Sequence, residues 1–310
     1  MKKGQLSGDG FSLAVLLAPF FGLWLLFWLA PLLLGLDLSL QHSDWTSGRV
    51  DLDPTASDSR YIGLSNYQRV VEDPKFYKAI HNSSLYVLGT VLMILPLAFV
   101  LALSLRGLRR MPRGILLFCL MIPGLAMPGV LSTLFYLFFH GRTGALNHYL
   151  IIPLGLKPIN WMMDPVFILP SMVLQSVWRW TGMVTLFFLC GMESVPKWQV
   201  ETARLEGAGA WLKIRSIWIP SIRNLALFAA IFLVVDGFAS FSGAYVLLGG
   251  SGGILDSGLL FVTYVYQVAF PGGSGRFDFP AAAAMSLLVA PVLALLLFLT
   301  LRLRKFLSWV

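Results

Sequence analysis

Two charged residues interrupt long apolar runs of this sequence, and any buried chemistry has to use them. Arg179 lies within the run Val166–Met192, and Asp236 lies within the run Asn224–Leu248. If these runs lie in lipid, an isolated charge at the centre costs at least about 2.5–3.5 kcal/mol, so pairing or a watery pocket is expected. Each charge is at the midpoint of its run, which predicts that the two lie at the same depth and face a common interior.

The other residue types that carry chemistry lack the required spacing. No GxxxxGK[ST] phosphate-binding loop is present in the sequence. An intramembrane enzyme built on Arg179 and Asp236 alone would lack a Ser–His pair or a metal cluster. The cysteines and histidines form neither CxxC nor i, i+4 pairs; they are Cys119, Cys190, His42, His81, His140 and His148. The sequence therefore predicts no catalytic, metal or nucleotide site.

A polar stretch, Glu201–Pro220, separates two apolar runs and reads ETARLEGAGAWLKIRSIWIP. We expect a helix, a bend at Gly207 and a second helix that re-enters the membrane near Ile217. A helix start near Glu201 would let the helix dipole stabilise its carboxylate. Small residues such as Ala203 would leave one side slim enough for a partner to approach closely.

The spacing of this stretch resembles the EAA loop of ABC importer permeases. That loop reads Glu-Ala-Ala, three residues, Gly, nine residues and Ile-x-Leu-Pro; here Thr202 replaces the first Ala, Glu206 replaces the usual Asp, and Ile219 replaces the Leu. An ordinary amphipathic loop is the alternative. On the resemblance, the residues assigned to ATPase coupling are Glu201, Thr202, Ala203, Glu206, Gly207, Ala208, Ile217 and Pro220.

This resemblance implies a set of partners and a mechanism. In the family the loop forms a coupling helix that docks in a cleft of an ATPase subunit. It implies a second, similar permease, two ATPase subunits and an extracytoplasmic solute-binding protein, with ATP and magnesium bound by the ATPases and no cofactor in this chain. ATP binding would draw the coupling helices together and turn the permeases from inward-facing to outward-facing, and hydrolysis would reset them.

Two weaker matches favour a carbohydrate importer of the maltose and glycerol-phosphate group, closer to its first permease than to its second. Gly63, Leu64, Asn66 and Tyr67 fit a Gly-Leu-x-Asn-Tyr segment, and Tyr266, Ala269 and Phe270 fit the end of an outer-loop helix. In such a protein the tryptophans that flank Arg179 would either stack on sugar rings along the substrate path or serve only for packing. They are Trp178 and Trp180.

Composition requires a lipid environment. Of 310 residues, 57% are hydrophobic and only 12% are charged, with a mean hydropathy of +0.77. A net charge of +8 would suit nucleic acid only on a folded basic face, and here the basic residues lie in short loops between apolar runs. Nucleic acid is therefore excluded as a partner, and the lipid bilayer is expected.

We predict an all-α integral membrane protein with six transmembrane helices and the type I ABC importer permease fold, in one domain over residues 1–310. Basic residues are more frequent in the predicted inner segments, 14 against eight, which places both termini inside. The run Phe11–Leu36 is too long for a signal-peptide core and is expected to be retained. The predicted spans are 11–36, 83–105, 114–139, 166–192, 224–248 and 279–301, with the coupling loop at 193–223.

These features predict a non-catalytic permease subunit of an ATP-driven importer for a sugar or a related small polar solute. Its place would be the cytoplasmic membrane of a bacterium or archaeon. An ATPase-independent channel or receptor is the alternative, since neither needs a docking loop. The sequence does not identify the solute.

Overall fold

A computed structural model describes residues 6–41, 61–270 and 278–307. The sequence DLDPTASDS at Asp51–Ser59, whose composition predicts a turn, lies outside these residues. Regular structure in the described part is helical apart from one bridge between Gln41 and Tyr61. The α-helices are α1 Leu6–Trp24, α2 Ala30–Ser39, α3 Ser65–Glu72, α4 Pro74–Arg106, α5 Arg110–Leu125, α6 Pro128–Phe138, α7 Pro165–Glu193, α8 Lys197–Leu205, α9 Ala210–Lys213, α10 Ile219–Phe238, α11 Ser242–Leu247, α12 Phe261–Ala269 and α13 Phe279–Leu307.

Contacts divide the chain into two compact units, Met1–Asp73 with Gln267–Ala290, and Pro74–Tyr266 with Pro291–Val310. In the first unit, a π-helical turn at Leu25–Leu29 joins α1 to α2. Within Val15–Ser39, none of the residues in the apolar 18-residue window is buried within the protein. A helix that is apolar on all sides and uncovered by protein fits a lipid environment.

A buried asparagine in the first unit explains part of the Gly-Leu-x-Asn-Tyr segment. The Asn66 amide is fully buried and donates to the carbonyls of Ser39 and Gln41 at 2.7 and 2.9 Å. The Tyr67 hydroxyl lies 2.7 Å from the Ser39 hydroxyl. These bonds close the end of α2, whose last carbonyls have no partner within the helix. The segment thus fixes the outer end of the first span.

The second unit is a bundle in which α4, α7 and α10 surround an apolar core. Ile94, Val184 and Leu233 are among its fully buried side chains. Glycine allows close approach at the α5–α7 contact, where a Cβ on Gly182 would overlap the Leu120 carbonyl. Small residues at such crossings let helix backbones meet in membrane bundles. The core therefore sets where the loops between these helices lie.

The predicted third span, 114–139, in which Pro123 and Pro128 allow a kink, is bent. It consists of α5 and α6, which meet at an angle of 99°. Ala126 and Met127 between them are extended, with ψ of 144° and 133°. Pro128 lacks the N–H that a helix needs, and it disfavours the helical conformation of the residue before it. The helix is therefore interrupted at Met127.

The expected fifth span, 224–248, is displaced. The helix begins with α9, continues through a π-helical turn at Ile214–Trp218, and ends with α10 at Phe238. Residues 239–241 then interrupt the helix before the short helix α11 begins. The apolar run does continue to Leu248, but hydropathy reports side-chain polarity and not the direction of the backbone. Asp236 is consequently two residues from the end of α10 and not at the midpoint of a span.

The all-α prediction and the number of spans are confirmed. The described residues contain five straight helices long and apolar enough to cross a membrane, and the bent α5–α6 pair makes a sixth. The fourth predicted span, 166–192, agrees with α7 to within one residue at each end. The inside location of both termini still rests on the distribution of basic residues.

Candidate functional site

The Glu201–Pro220 stretch forms two helices joined by a glycine turn. Helix α8 ends at Leu205, and Gly207 follows with φ of +76°. The Ala208 amide donates to the Ala203 carbonyl at 2.9 Å, and the Gly207 amide donates to the Arg204 carbonyl at 3.1 Å. These two bonds define a Schellman motif, which satisfies the last carbonyls of a helix and favours glycine at the left-handed position. Gly207 therefore caps α8. Because it lies outside the helix interior, it does not carry the loss of stability that glycine causes there.

The expected position of Glu201 at a helix start is wrong. Helix α8 begins at Lys197, because Pro196 cannot continue the preceding helix, so Glu201 is the fifth residue of nine. The helix dipole acts mainly on the first and last turns and does not hold this carboxylate. Glu201 is instead an exposed anion in the middle of α8, open to pairing with a cation from outside the chain.

An open groove of about 460 Å³ runs between α8 and the segment α9–Trp218. It is lined by five of the eight residues assigned to coupling, Thr202, Ala203, Glu206, Ala208 and Ile217. Exposed apolar side chains surround these residues in an otherwise polar segment: Trp198 63%, Leu205 89%, Trp211 72% and Leu212 55% exposed. Clustered exposure of large apolar side chains marks a surface that binds another protein. Of the remaining assigned residues, Glu201, Gly207 and Pro220 are exposed outside the groove lining.

The Glu201–Pro220 stretch, called the coupling segment below, is attached to the helices of the bundle. The Arg106 guanidinium, at the end of α4, lies 3.7 Å from the ring centroid of Trp218, which is 5% exposed. In the same region Arg113 of α5 forms a salt bridge with Glu193 at the end of α7. Trp218 ends the π-helical turn, a feature that often occurs at functional positions. The contact between Arg106 and Trp218 therefore joins the Glu201–Pro220 stretch to α4.

Three of the residues predicted for the substrate path meet between α7 and α10. The indole nitrogen of Trp180 donates to Asp236 Oδ2 at 2.7 Å. The Arg179 guanidinium lies 4.6 Å from the Trp180 ring centroid, and Phe232 packs against that ring edge-on at 4.8 Å. The tryptophan therefore stands between the two charges and contacts both of them.

Pairing or a watery pocket was expected for the two charges, and among the described residues Arg179 and Asp236 form no ion pair within 4.0 Å. The predicted midpoint position is wrong for Asp236, which is two residues from the end of α10, whereas Arg179 is at the centre of α7. Trp178 lies on another face of α7, because neighbours two apart on a helix point about 200° apart. It is 48% exposed and packs against Phe135, so it does not join the group.

A polar cavity of about 20 Å³ borders Arg179, and most of its polar lining was missed from the sequence. A cavity of that size holds about one water molecule. The missed residues Gln175 and Ser176 lie four and three positions before Arg179, so helical spacing placed them on its face of α7. Tyr86 of α4 and Ser240, between α10 and α11, come from other parts of the chain and carry no such signal. The arginine Nε is buried without a partner among the described atoms.

The model of one protein family matches residues 94–308 of this chain, and its description is binding-protein-dependent transport system inner membrane component. The chain belongs to this family. The matched range includes the coupling segment and the third and fifth spans. It also includes Arg179, Trp180, Phe232 and Asp236, which we call the Arg179 group. The Glu201–Pro220 stretch, which resembles an importer coupling loop, lies within the range that matches this family.

Similar proteins are permeases of sugar transport systems. The arabinooligosaccharides transport system permease protein AraP of Bacillus subtilis is 32% identical over 251 residues, 81% of this chain and 76% of that protein. The lactose transport system permease protein LacF of Rhizobium radiobacter is 27% identical over 286 residues, 91% of this chain and 90% of that protein. A bacterial ABC transporter that imports alginate has the same fold, with a TM-score of 0.78, 18% identity and 96% coverage of both chains.

As a member of the binding-protein-dependent permease family, the chain is a multi-pass membrane subunit of an ABC importer. Permeases of this family are non-catalytic, and a separate chain hydrolyses ATP. These findings confirm the predicted permease and its resemblance to sugar importers.

Proposed function

We propose that this permease imports a sugar or a related small polar solute across the cytoplasmic membrane of a bacterium or archaeon. It would act with a second permease, two ATPase subunits that bind ATP and magnesium, and an extracytoplasmic binding protein. Support for the solute class comes from the sugar permeases among its relatives. A neighbour in fold is an alginate transporter in complex with a binding protein that carries an alginate pentasaccharide.

The exposed groove between α8 and Trp218 carries the proposal for the ATPase partner. It combines apolar side chains that water hydrates poorly with two charges, Glu206 and Lys213, at its lining. Glu201 stands beside it as an exposed anion on the fifth position of α8. An ATPase cleft with an arginine facing Glu201 and an apolar floor would bury this surface on docking.

The Arg179 group supports an alternating-access mechanism. The cavity beside Arg179, of about 20 Å³, has room for about one water molecule and is too small for a sugar, so a substrate path through this point would be closed in this conformation. Its walls come from α4, α6, α7 and α11. Discontinuous helices near the centre of the membrane commonly frame substrate sites in transporters. In our proposal, movement of the coupling segment separates these walls and lets solute reach Arg179.

Co-purification tests the ATPase partner. The permease, expressed with the ATPase genes of its own organism, should retain the ATPase, and Glu201→Lys or Gly207→Pro should lose it. Glu72→Lys is the matched control, because it makes the same charge change on an exposed residue of α3. An absence of any ATPase in wild-type preparations, or equal loss with Glu72→Lys, would refute the proposed role of the groove.

The solute class needs a second assay. The reconstituted complex should hydrolyse ATP faster when its binding protein is loaded with the transported sugar, and candidate sugars can be ranked by that stimulation. Stimulation by amino acids or metal ions instead of sugars would overturn the carbohydrate proposal while leaving the importer intact.

A further inference from the structure

A second cavity, of about 730 Å³, lies in the second unit and has no part in the coupling groove or the Arg179 group. One wall is formed by the end of α6 and the loop that follows it, within residues 136–142 and 160–163. The other is the glycine-rich turn after α11, within residues 247–254. Both segments belong to loops predicted outside, and the volume lies in the range of about 300–1,000 Å³ typical of small-molecule sites.

The lining of this outer cavity includes exposed apolar side chains. Phe139 and Leu247 lie beneath the surface and are each only 1% exposed, and the Phe139 ring packs on Trp161 with centroids 6.0 Å apart. Above them, Tyr136, Met163 and Ile254 leave 47%, 67% and 42% of their surface exposed. An exposed aromatic and aliphatic surface suits the C–H face of a sugar ring, which is itself apolar.

Several polar groups around the cavity have hydrogen-bonding capacity to spare. Among the described residues, no side-chain bond or ion pair engages Arg142, the Asn160 amide or the Tyr136 hydroxyl. His140 uses its Nδ1 towards Thr143, at 2.9 Å from the hydroxyl. Donors and acceptors of this kind can bond the hydroxyl groups of a ligand.

A buried asparagine holds this wall in place. Asn147 is fully buried, and its amide donates to the carbonyls of Gly141 and Ile159 at 2.7 and 2.8 Å. Its oxygen accepts from the Ile159 amide at 3.2 Å and from the Trp161 indole at 3.0 Å. Both donors and both lone pairs of the side chain are therefore used. The bonds fix the segments that carry Arg142 and Asn160, so little ordering remains to oppose ligand binding.

The charge of the lining points to the chemistry of the ligand. Arg142 is the one residue of permanent charge in the lining, which contains no aspartate or glutamate. A guanidinium has five donors and no acceptor, and its planar fork matches a carboxylate with two parallel bonds. A neutral sugar would leave that fork without an anionic partner.

We propose that the outer cavity binds a carboxylate-bearing saccharide. Arg142 pairs with the carboxylate, Asn160 and Tyr136 bond hydroxyl groups, and the sugar ring lies on the exposed apolar side chains of the lining, Met163 and Ile254. The inference rests on the proposed import of saccharides and adds to it an outer site and the acidic class of its ligand.

A pair of matched ligands tests the proposal on the full chain in a neutral detergent. Trigalacturonate and its carboxyl-reduced, uncharged form are titrated separately by calorimetry. The acidic trisaccharide should bind at least about tenfold more tightly than the reduced one, since the charge-assisted bidentate pair is lost. Arg142→Gln should weaken binding of the acid by a similar factor, and Arg142→Lys should restore only part of it.

Two further variants separate the site from general charge and from folding. Lys157→Gln makes the same charge change in the same loop, outside the cavity lining, and should leave binding unchanged. Gly141→Ala should weaken binding without altering charge, because its Cβ would overlap the Asn160 amide. A circular dichroism melt of each variant checks that the fold persists.

Three results would overturn the outer site. They are equal affinity for the two trisaccharides, equal effects of Arg142→Gln and Lys157→Gln, and no saturable binding of the acid at millimolar concentration. If any of these occurs while the ATPase still co-purifies and a sugar still stimulates hydrolysis, the outer site alone fails. Loss of the ATPase complex would instead refute the proposed function.

Discussion

Trp180 and Asp236 form the polar contact that joins α7 to α10, with the indole nitrogen 2.7 Å from the carboxylate oxygen. The charges alone suggested that Arg179 would pair with Asp236, but it is Trp180 that bonds this carboxylate. An indole donor satisfies a buried carboxylate without bringing a second charge into an apolar bundle, where desolvating a cation is costly. The guanidinium of Arg179 is left near the Trp180 ring and the small polar cavity.

Removing the indole donor should destabilise the bundle. Trp180→Phe keeps an aromatic ring against Phe232 but leaves Asp236 without this bond. We expect a loss of about 1–2 kcal/mol in stability, because a half-buried carboxylate loses its donor. The measurement is the unfolding temperature of the purified chain in detergent. Trp178→Phe is the matched control, since Trp178 is half exposed and has no contact with Asp236; equal effects of the two changes would contradict the assignment.

The Schellman turn makes a prediction for Gly207. Gly207→Ser places a side chain at φ of +76°, which costs about 1 kcal/mol, and should lower ATPase retention by disturbing the direction of α9. Gly209→Ser is the matched control, because Gly209 has φ of −69° and caps the start of α9, where serine is favoured. ATPase retention after each change, compared by pull-down, decides the matter. A stronger loss with Gly209→Ser would show that the turn geometry does not determine docking.

The sequence predicted the spans well where a helix is long, straight and apolar, as in α7. It failed at residues 239–241, where the backbone changes direction inside an apolar run, because hydropathy stays high there and no proline marks the break. At Met127 the following Pro128 did signal a bend. The helix, turn and helix of Glu201–Pro220 were predictable from spacing, since a left-handed turn favours glycine at a fixed distance from the helix it caps.

The outer cavity was not predictable for a different reason. Arg142 and Ser251 are more than 100 positions apart, and no periodicity connects them. Asn147, which holds one wall, looks in the sequence like any polar loop residue, and its burial is set by the loop around it. The Arg179 group lies between these cases, because Gln175 and Ser176 follow from helical spacing whereas Tyr86 does not.

Two glycines of the same fold predict opposite responses to one change. Gly182→Ala should destabilise strongly, since its Cβ would overlap the backbone carbonyl of Leu120 and force α5 away from α7. Gly114→Ala in α5 meets no atom within 4 Å and should stabilise by up to about 1 kcal/mol, because alanine is the better helix former. Thermal unfolding of both variants tests the contact. A mild effect of Gly182→Ala would mean that the helices are farther apart.

The stacking of Arg106 on Trp218 predicts non-additive effects in a double-mutant cycle. The guanidinium is 3.7 Å from the ring centroid of a tryptophan that is 5% exposed, a geometry for which about 0.5–2 kcal/mol is expected. Arg106→Gln and Trp218→Leu remove the same contact, so the double variant should lose less stability than the sum of the two single losses. Arg109→Gln, an exposed arginine of the same turn, should combine additively with Trp218→Leu.

The same variants test whether the contact between Arg106 and Trp218 transmits movement of the coupling segment to α4. If Arg106 and Trp218 link the π-helical turn to α4, either single variant should keep the ATPase bound while reducing sugar-stimulated ATP hydrolysis by the complex. Arg109→Gln should reduce neither. Additive losses in the first cycle, or a loss of ATPase binding with Arg106→Gln, would show that the stack is not the connection between the coupling surface and α4.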